Sequence, residues 1–388
     1  MGRPSILLAV LALAVAIGGS APVSAPATPP PSPLFGVSVN RIINDDFKPA
    51  HWDAPLRAVH ASGLRLARTD AFWMWAERFP PVHGVHHYDW AWLDSVAKAL
   101  ASHRLRWLPI LDYSAIWAAS LPTDYHSPPK SNADYAAYAR AFAARYGRGG
   151  SFWTQHPRLP RLPVTDYEIW NEPNNGRWFW RPKADAARYA DMYLRARAAI
   201  HAVDARATVV VGGLVAHPSY VEAMYAARPD LRGNVDAIGW HAYAPTVTGL
   251  VDGVHDLRAT LELVGAADLP VQITELGWPT SGKDPTVLPE RARAAALEAA
   301  VARLARSDCG IRAVIAYTWK TPRRDRTGFG IRRPDGRPAP SSRAFERVVA
   351  RYHRNPGARL RLCHPPGAAE AISSSLRIAT GAVVTALT

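Results

Sequence analysis

The sequence predicts a single (β/α)8 barrel, and three observations carry that expectation. Eight short runs rich in Val, Ile and Leu follow residue 33, each suited to a strand buried on both faces. Helical stretches separate them, and strand–helix alternation implies a parallel sheet. The charged and polar residues of the runs gather at their C-terminal ends, where a barrel of this kind carries its working groups. With 388 residues, 48% of them hydrophobic, the chain exceeds the roughly 250 residues such a barrel takes.

Before the first run, Arg3 is followed by the apolar stretch Ile6–Ile17 and then by small residues and prolines. The stretch is too short to span a membrane and reads as a signal-peptide core. Residues 1–27 are therefore expected to be a signal peptide cut near Ala25-Pro26-Ala27, and 28–33 a proline-rich linker. The mature chain is expected outside the cell or in its envelope, as a monomer with no membrane insertion.

The catalytic domain is expected over 34–352. Its strands are read at Leu34–Asn40, Leu64–Asp70, Arg106–Ser114, Thr165–Glu172, Ala207–Leu214, Val235–Tyr243, Pro270–Trp278 and Ile311–Lys320. Helices are read at Trp90–His103, Asn132–Tyr146, Ala184–Val203, Asp252–Val264, Pro289–Ala305 and Ser341–Arg351, from apolar residues every three or four positions. Residues 147–163 form a long Pro/Arg/Gly-rich connection. Residues 353–388 are a C-terminal tail to which no function attaches. No GxGxxG or phosphate-binding loop follows the first strand, which removes the nucleotide-binding folds.

Cys309 and Cys363 are the only cysteines. In an exported chain they are expected to pair, with two free buried thiols as the alternative. The net charge is +14, mostly arginine. It reads either as a solvated basic surface or as attraction to an acidic glycan or envelope. No helix-turn-helix, zinc-finger or RNA-binding signature accompanies it, so no nucleic-acid partner is expected. His83, His86 and His87 lie close together, but no pattern supplies further ligands; neither metal nor cofactor is expected.

Two glutamates stand out. Glu172 closes Tyr167-Glu168-Ile169-Trp170-Asn171-Glu172-Pro173-Asn174, and Glu275 lies in Val271-Gln272-Ile273-Thr274-Glu275-Leu276-Gly277-Trp278. A pair of carboxylates on opposite sides of one sugar is what glycoside cleavage requires. Alternation along extended strands groups Leu66 with Arg68 and Asp70, Glu168 with Trp170 and Glu172, Gly239 with His241 and Tyr243, and Ile273 with Glu275. Each set is expected to face the barrel axis. Glu168 reads as an interior carboxylate paired with a cation.

These motifs, with Arg68-Thr69-Asp70, Trp73, Gly239-Trp240-His241-Ala242-Tyr243 and Tyr317-Thr318-Trp319, resemble the retaining glycoside hydrolases of clan A, most of all family 39 and its bacterial relatives, over residues 34 to 352. The resemblance implies Glu172 as acid/base, Glu275 as nucleophile and Asn171 as a ligand of the sugar 2-hydroxyl. Arg68 and Tyr243 are expected beside Glu275, and His241 beside Glu172. Trp319 is expected to be a sugar platform, and Trp73 and Trp178 to form subsites. Arg323, Arg324 and Arg326 offer charges for an acidic substrate. A transglycosidase with the same residues and a non-catalytic glycan-binding barrel remain alternatives.

Overall fold

The computed structural model describes residues 33–321 and 326–364. The expected signal peptide and all but the last residue of the linker lie outside the described residues, as does most of the C-terminal tail. Arg323 and Arg324 lie outside them too.

Eight parallel strands close into a barrel in chain order. They are β1 (Leu34–Ser38), β2 (Leu66–Phe72), β3 (Arg106–Asp112), β4 (Asp166–Ile169), β5 (Thr208–Val215), β6 (Ala237–Ala242), β7 (Val271–Leu276) and β8 (Ile311–Ala316). Strand β1 pairs with β8 and closes the ring, Leu34 opposite Ala313 and Val37 opposite Ala316. The helices are α1 (Asn40–Ile43), α2 (Asp53–Ala61), α3 (Trp73–Ala76), α4 (Ala91–Ser102), α5 (Asn132–Tyr146), α6 (Ser151–Gln155), α7 (Ala186–His201), α8 (Ser219–Ala227), α9 (Val247–Leu263), α10 (Glu290–Arg306) and α11 (Pro340–Arg354). Among these, α1, α2, α3, α6 and α8 escaped the sequence reading. None exceeds nine residues, too short for an apolar stripe to repeat clearly.

The core has two parts. A small cluster of Leu66, Leu108, Ala313 and Ile315 fills the barrel interior. The larger cluster lies between the strands' outer faces and the helices. Buried tyrosines join the two layers: Tyr138 of α5 donates to the Ala71 carbonyl (2.6 Å), Tyr189 of α7 to Ile169 (2.8 Å) and Tyr193 to Val209 (2.8 Å). The Ala71 and Ile169 carbonyls lie at the C-terminal ends of β2 and β4, and that of Val209 at the start of β5, so the helices hold strands at both ends.

Cys309 and Cys363 form a disulfide. It ties the entry to β8 to the segment beyond α11, where Asp308 accepts hydrogen bonds from the amides of Leu362, Cys363 and His364. Among the described residues, no helix is long and apolar enough to cross a membrane.

Simple alternation holds along β2 and β6 and fails along β4 and β7. Strand β4 ends at Ile169, and Trp170 then takes a left-handed backbone (φ 68°). Its ring packs outward against Trp180 and Tyr135 instead of sharing the interior with Glu168. In β7, Trp240 faces Ile273 but His241 faces Glu275, so Thr274 is an extra residue. That bulge turns Glu275 inward while Ile273 joins the outer core.

Candidate active site

At the C-terminal mouth of the barrel lies a cleft of about 1040 Å³. Its floor is organised by Arg68, carried inward by the regular geometry of β2 and fully buried. Arg68 Nε donates to Glu168 Oε2 (2.6 Å), Nη1 to Glu275 Oε1 (2.6 Å) and Nη2 to Asn171 Oδ1 (2.9 Å). Burial alone would weaken its hold on the proton, but Glu168 and Glu275 more than offset this and keep it a cation. Glu168 also accepts from the Gly213 amide (2.8 Å), so it anchors the guanidinium and does not face the cleft.

Glu275 takes a second donor, the Tyr243 hydroxyl, at 2.6 Å. Burial and the neighbouring Glu275 charge push the Tyr243 phenol well above its ordinary range, so it stays protonated and donating. Across the cleft Glu172 meets different partners: His241 Nδ1 at 2.9 Å and Asn175 Nδ2 at 2.8 Å. The tautomer of His241 follows from its other nitrogen. Nε2 lies 3.3 Å from Arg68 Nη2, which can only donate, so Nε2 accepts and Nδ1–H points at Glu172.

Local backbone explains how Glu172 arrives. Asn171 and Glu172 lie beyond the end of β4, and Glu172 has a positive φ (45°), an uncommon conformation for a residue with a side chain. Asn174 stitches the turn to β5, its Nδ2 donating to the Val215 carbonyl (2.6 Å) and its Oδ1 accepting from the Val215 amide (3.2 Å). One oxygen of Glu172, one of Glu275 and one His241 nitrogen lie within 4.8 Å of one another. Such a trio also suits a metal ion in outline, but the proton on His241 Nδ1 occupies the lone pair a metal would need.

The model of the family described as cellulase (glycosyl hydrolase family 5) matches residues 111–315, more than half of the chain. The chain belongs to that family. It is a glycosidase of clan A, an enzyme acting on O-glycosyl bonds. No protein of curated function matches the sequence significantly. Among solved structures, a GH39 β-xylosidase from Caulobacter crescentus is similar, with TM-score 0.63 and 23% identity over 84% of this chain and 73% of that one. So is a GH5_18 protein from Bifidobacterium longum in complex with Manβ1-4GlcNAc, with TM-score 0.61 and 14% identity over 84% of this chain and 80% of that one. A GH5_18 protein from Streptomyces cattleya in complex with GlcNAc has TM-score 0.59 and 16% identity over 85% of this chain and 83% of that one. The expected clan holds, and both families 5 and 39 share the barrel.

In this family 5 glycosidase, the cleft gathers Arg68, Asn171, Glu172, Tyr243, Glu275 and Trp178, with His241 buried just behind. Trp178 is 56% exposed, with Arg177 over its ring at 5.0 Å. Two expected platforms fall elsewhere. Trp73 is fully buried, stacked on Tyr138, and its Nε1 donates to Glu77 (2.8 Å). Trp319 is 2% exposed and covered by the Arg332 guanidinium at 4.5 Å. Strand β8 ends at Ala316, earlier than expected, and Tyr317 enters the lining instead. Burial, with the Glu275 charge adding to it, pushes the Tyr317 phenol up to about 12.

The sequence reading quoted Tyr317 only as part of a motif and missed Asn175, which bonds Glu172, together with Phe329 and the residues after β1, among them Asn40 and Asn44. Asn175 had a signal, since it extends the Asn-Glu-Pro-Asn run; the others sit in loops without a repeating pattern. Of the histidines after β2, His86 bonds Glu77 at 2.8 Å, and His83 and His87 are exposed.

The described lining is acidic. Asp45, Asp70, Glu172, Glu275 and Asp284 face Arg41 and Arg68. Arg68 is already engaged by two glutamates, and Arg41 lies 3.5 Å from Asp45. The chain's basic surplus is not gathered among these groups. The Arg326 carbonyl accepts from Ser281 Oγ (2.6 Å).

Proposed function

We propose that this glycosidase is an exported enzyme that cleaves a β-linked oligo- or polysaccharide with retention of configuration. Glu172 protonates the departing oxygen, Glu275 attacks the anomeric carbon, and Glu172 then takes a proton from the incoming water. The observation that carries the reading is the spacing and partnering of the two glutamates. Their nearest oxygens lie within 4.8 Å, close to the separation of roughly 5–5.5 Å that leaves no room for an intervening water. A guanidinium and a phenol meet Glu275, as suits a nucleophile that must stay charged. Glu172 meets two neutral donors, an imidazole and an amide, where Glu275 meets a cation.

β-Linkage is favoured by the neighbours, one named a β-xylosidase and one holding a β1-4 disaccharide. The acidic lining favours a neutral sugar over a uronic acid beside Glu275. Export is supported by the apolar run behind Arg3 and by the disulfide, which persists in an oxidising compartment.

The test is a panel of aryl β-glycosides and polysaccharides, neutral and acidic, with anomer detection by NMR. Wild type is expected to release product first as the β-anomer. Glu275→Ala is expected to show no release, and Glu172→Ala to lose about 10²–10⁴-fold on substrates with poor leaving groups. Inversion at the anomeric carbon, or full activity in either variant, would overturn the assignment. Chain-lengthened products at high substrate would turn it to transglycosylation. A mature chain still beginning at Met1 would overturn export with cleavage.

A further inference from the structure

Strand β2 carries a second carboxylate to the mouth, one inward position beyond Arg68. Asp70 lines the cleft and is 8% exposed. Its Oδ2 accepts a hydrogen bond from Asn44 Nδ2 on the loop after β1. Behind it, at the end of β3, lies Asp112. This residue is fully buried, and neither of its oxygens meets a donor among the described residues.

A buried carboxylate with no donor is costly as an anion. Two carboxyl groups in contact resolve this by sharing one proton, so that one acts as donor and the other as acceptor. Burial, then the adjoining Asp70 charge, push the Asp112 carboxyl well above the ordinary range. Burial also raises Asp70, but the hydrogen bond from Asp112, the Arg68 charge and Asn44 oppose the rise. In a shared-proton arrangement Asp112 is the donor and Asp70 the acceptor. The other charged groups facing the pair are Arg68 and Glu168.

Asp70 thus accepts from Asn44 and, in that arrangement, from Asp112, and it lines the cleft. Arg68 is bonded instead to Glu168, Asn171 and Glu275. Asp70 and Glu275 line the same cleft, and the Tyr317 phenol in that lining feels the charge of both.

We propose that Asp70, backed by Asp112, accepts a hydrogen bond from a hydroxyl of the sugar unit that Glu275 attacks, and so selects substrates bearing that hydroxyl. This rests on the glycosidase reading above. A site built to pair a hydroxyl rejects the analogue lacking it far more strongly than an apolar pocket rejects a change in size.

The experiment measures kcat/KM for the best aryl glycoside and for its monodeoxy analogues, with wild type, Asp70→Ala, Asp70→Asn, Asp112→Asn and Asp112→Leu. Thermal melts run alongside. With wild type, one deoxy analogue beyond the 2-position is expected to lose about 10²-fold. With Asp70→Ala the same deletion is expected to cost no more than about threefold, a non-additivity that a purely structural residue would not produce. Asp70→Asn, which keeps the shape, decides the matter should Asp70→Ala not fold. Asp112→Asn still has an N–H to donate and is expected to preserve the discrimination ratio, whereas Asp112→Leu lowers it. Equal ratios in the two Asp112 variants would overturn the backing role. Turnover by wild type with no analogue coupled to Asp70 would overturn this inference alone. No turnover by wild type on any substrate would overturn the glycosidase mechanism, and this inference with it.

Discussion

Strands β2 and β4 both deliver groups to the mouth of the barrel, by opposite means. Strand β2 is seven residues of unbroken ladder, paired with β3 from Leu66↔Arg106 to Phe72↔Asp112. Its period of two places Leu66, Arg68 and Asp70 inside without any special device. Strand β4 is four residues long and meets β3 at only Ile110↔Glu168 and Leu111↔Ile169. Beyond it the backbone turns left-handed at Trp170 and again at Glu172. The permanent cation is thus set by regular structure, and the carboxylate proposed to transfer the proton by irregular structure. A left-handed residue with a side chain costs on the order of 1 kcal/mol and persists only where its surroundings over-determine it. Those surroundings come from β5 and α7. Gly213 bonds Glu168, Asn174 clasps Val215, and Tyr189 donates to the last carbonyl of β4 while accepting from the Gly212 amide (2.7 Å).

Breaking the regular side should do the most damage. Arg68→Met leaves Glu168 fully buried without its cation, and loss of one partner of a buried pair costs about 3–5 kcal/mol. Urea unfolding should register that loss, and turnover should vanish because Glu275 loses the same partner. An active, fully stable Arg68→Met enzyme would remove Arg68 from the centre of the site.

On the irregular side, Gly213→Ala should separate activity from stability. A Cβ there would lie 2.0 Å from His241 Nε2, so the imidazole must leave its place between Arg68 and Glu172. Turnover should fall about 10²-fold or more, since small misplacements of a reacting group carry that cost. A structure of the variant should show the ring displaced; a normal rate with an undisturbed ring would contradict the argument. Tyr189→Phe should act more mildly. It strips a donor from the Ile169 carbonyl and an acceptor from the Gly212 amide, costing about 1–3 kcal/mol. Its kcat should fall more than its KM rises, because the change loosens the seat of Glu172 and not the exposed Trp178 ring.

A still smaller and purely binding effect is expected at the rim. Trp178→Ala should raise KM several-fold with little change in kcat, by losing an exposed aromatic face. Trp73→Phe should leave kcat/KM unaltered and lower the melting temperature, because its indole N–H serves Glu77 and not the cleft. Reversal of that pair in steady-state kinetics and thermal melts would exchange their assignments.

These contrasts explain what could be read from the residues. All eight strands were legible, because burial on both faces leaves continuous apolar runs. Arg68, Asp70 and His241 were legible because β2 and β6 keep alternation through them, and Tyr243 follows one residue past the end of β6. Both glutamates were found by their motifs, yet the parity argument attached to them failed. Thr274 inserts a residue in β7, and β4 stops at Ile169, so Ile273 and Trp170 turned out to face outward. Trp319 misled for the same reason: β8 ends three residues before it, and Tyr317 takes the lining position. Bulges and early strand ends depend on hydrogen bonds from distant residues such as Tyr189, and no local pattern encodes them.

The finest test bears on the end of the regular ladder, where Asp112 of β3 backs Asp70 of β2. A carboxyl whose folded-state pKa is raised holds its proton in the native chain while the unfolded chain releases it above about pH 4. Its contribution to stability is therefore complete below that pH and is lost as the pH rises toward the folded value. Asparagine at the position has no proton to lose. The melting temperature of Asp112→Asn should match wild type near pH 3.5 and exceed it increasingly toward pH 7, by about 2 °C or more. The gap would instead close or reverse with rising pH if Asp112 were an ionised partner of Arg68. In that case the guanidinium, and not a shared proton, would hold the end of β3 against β2, and the regular side of the site would rest on one cation serving three strands.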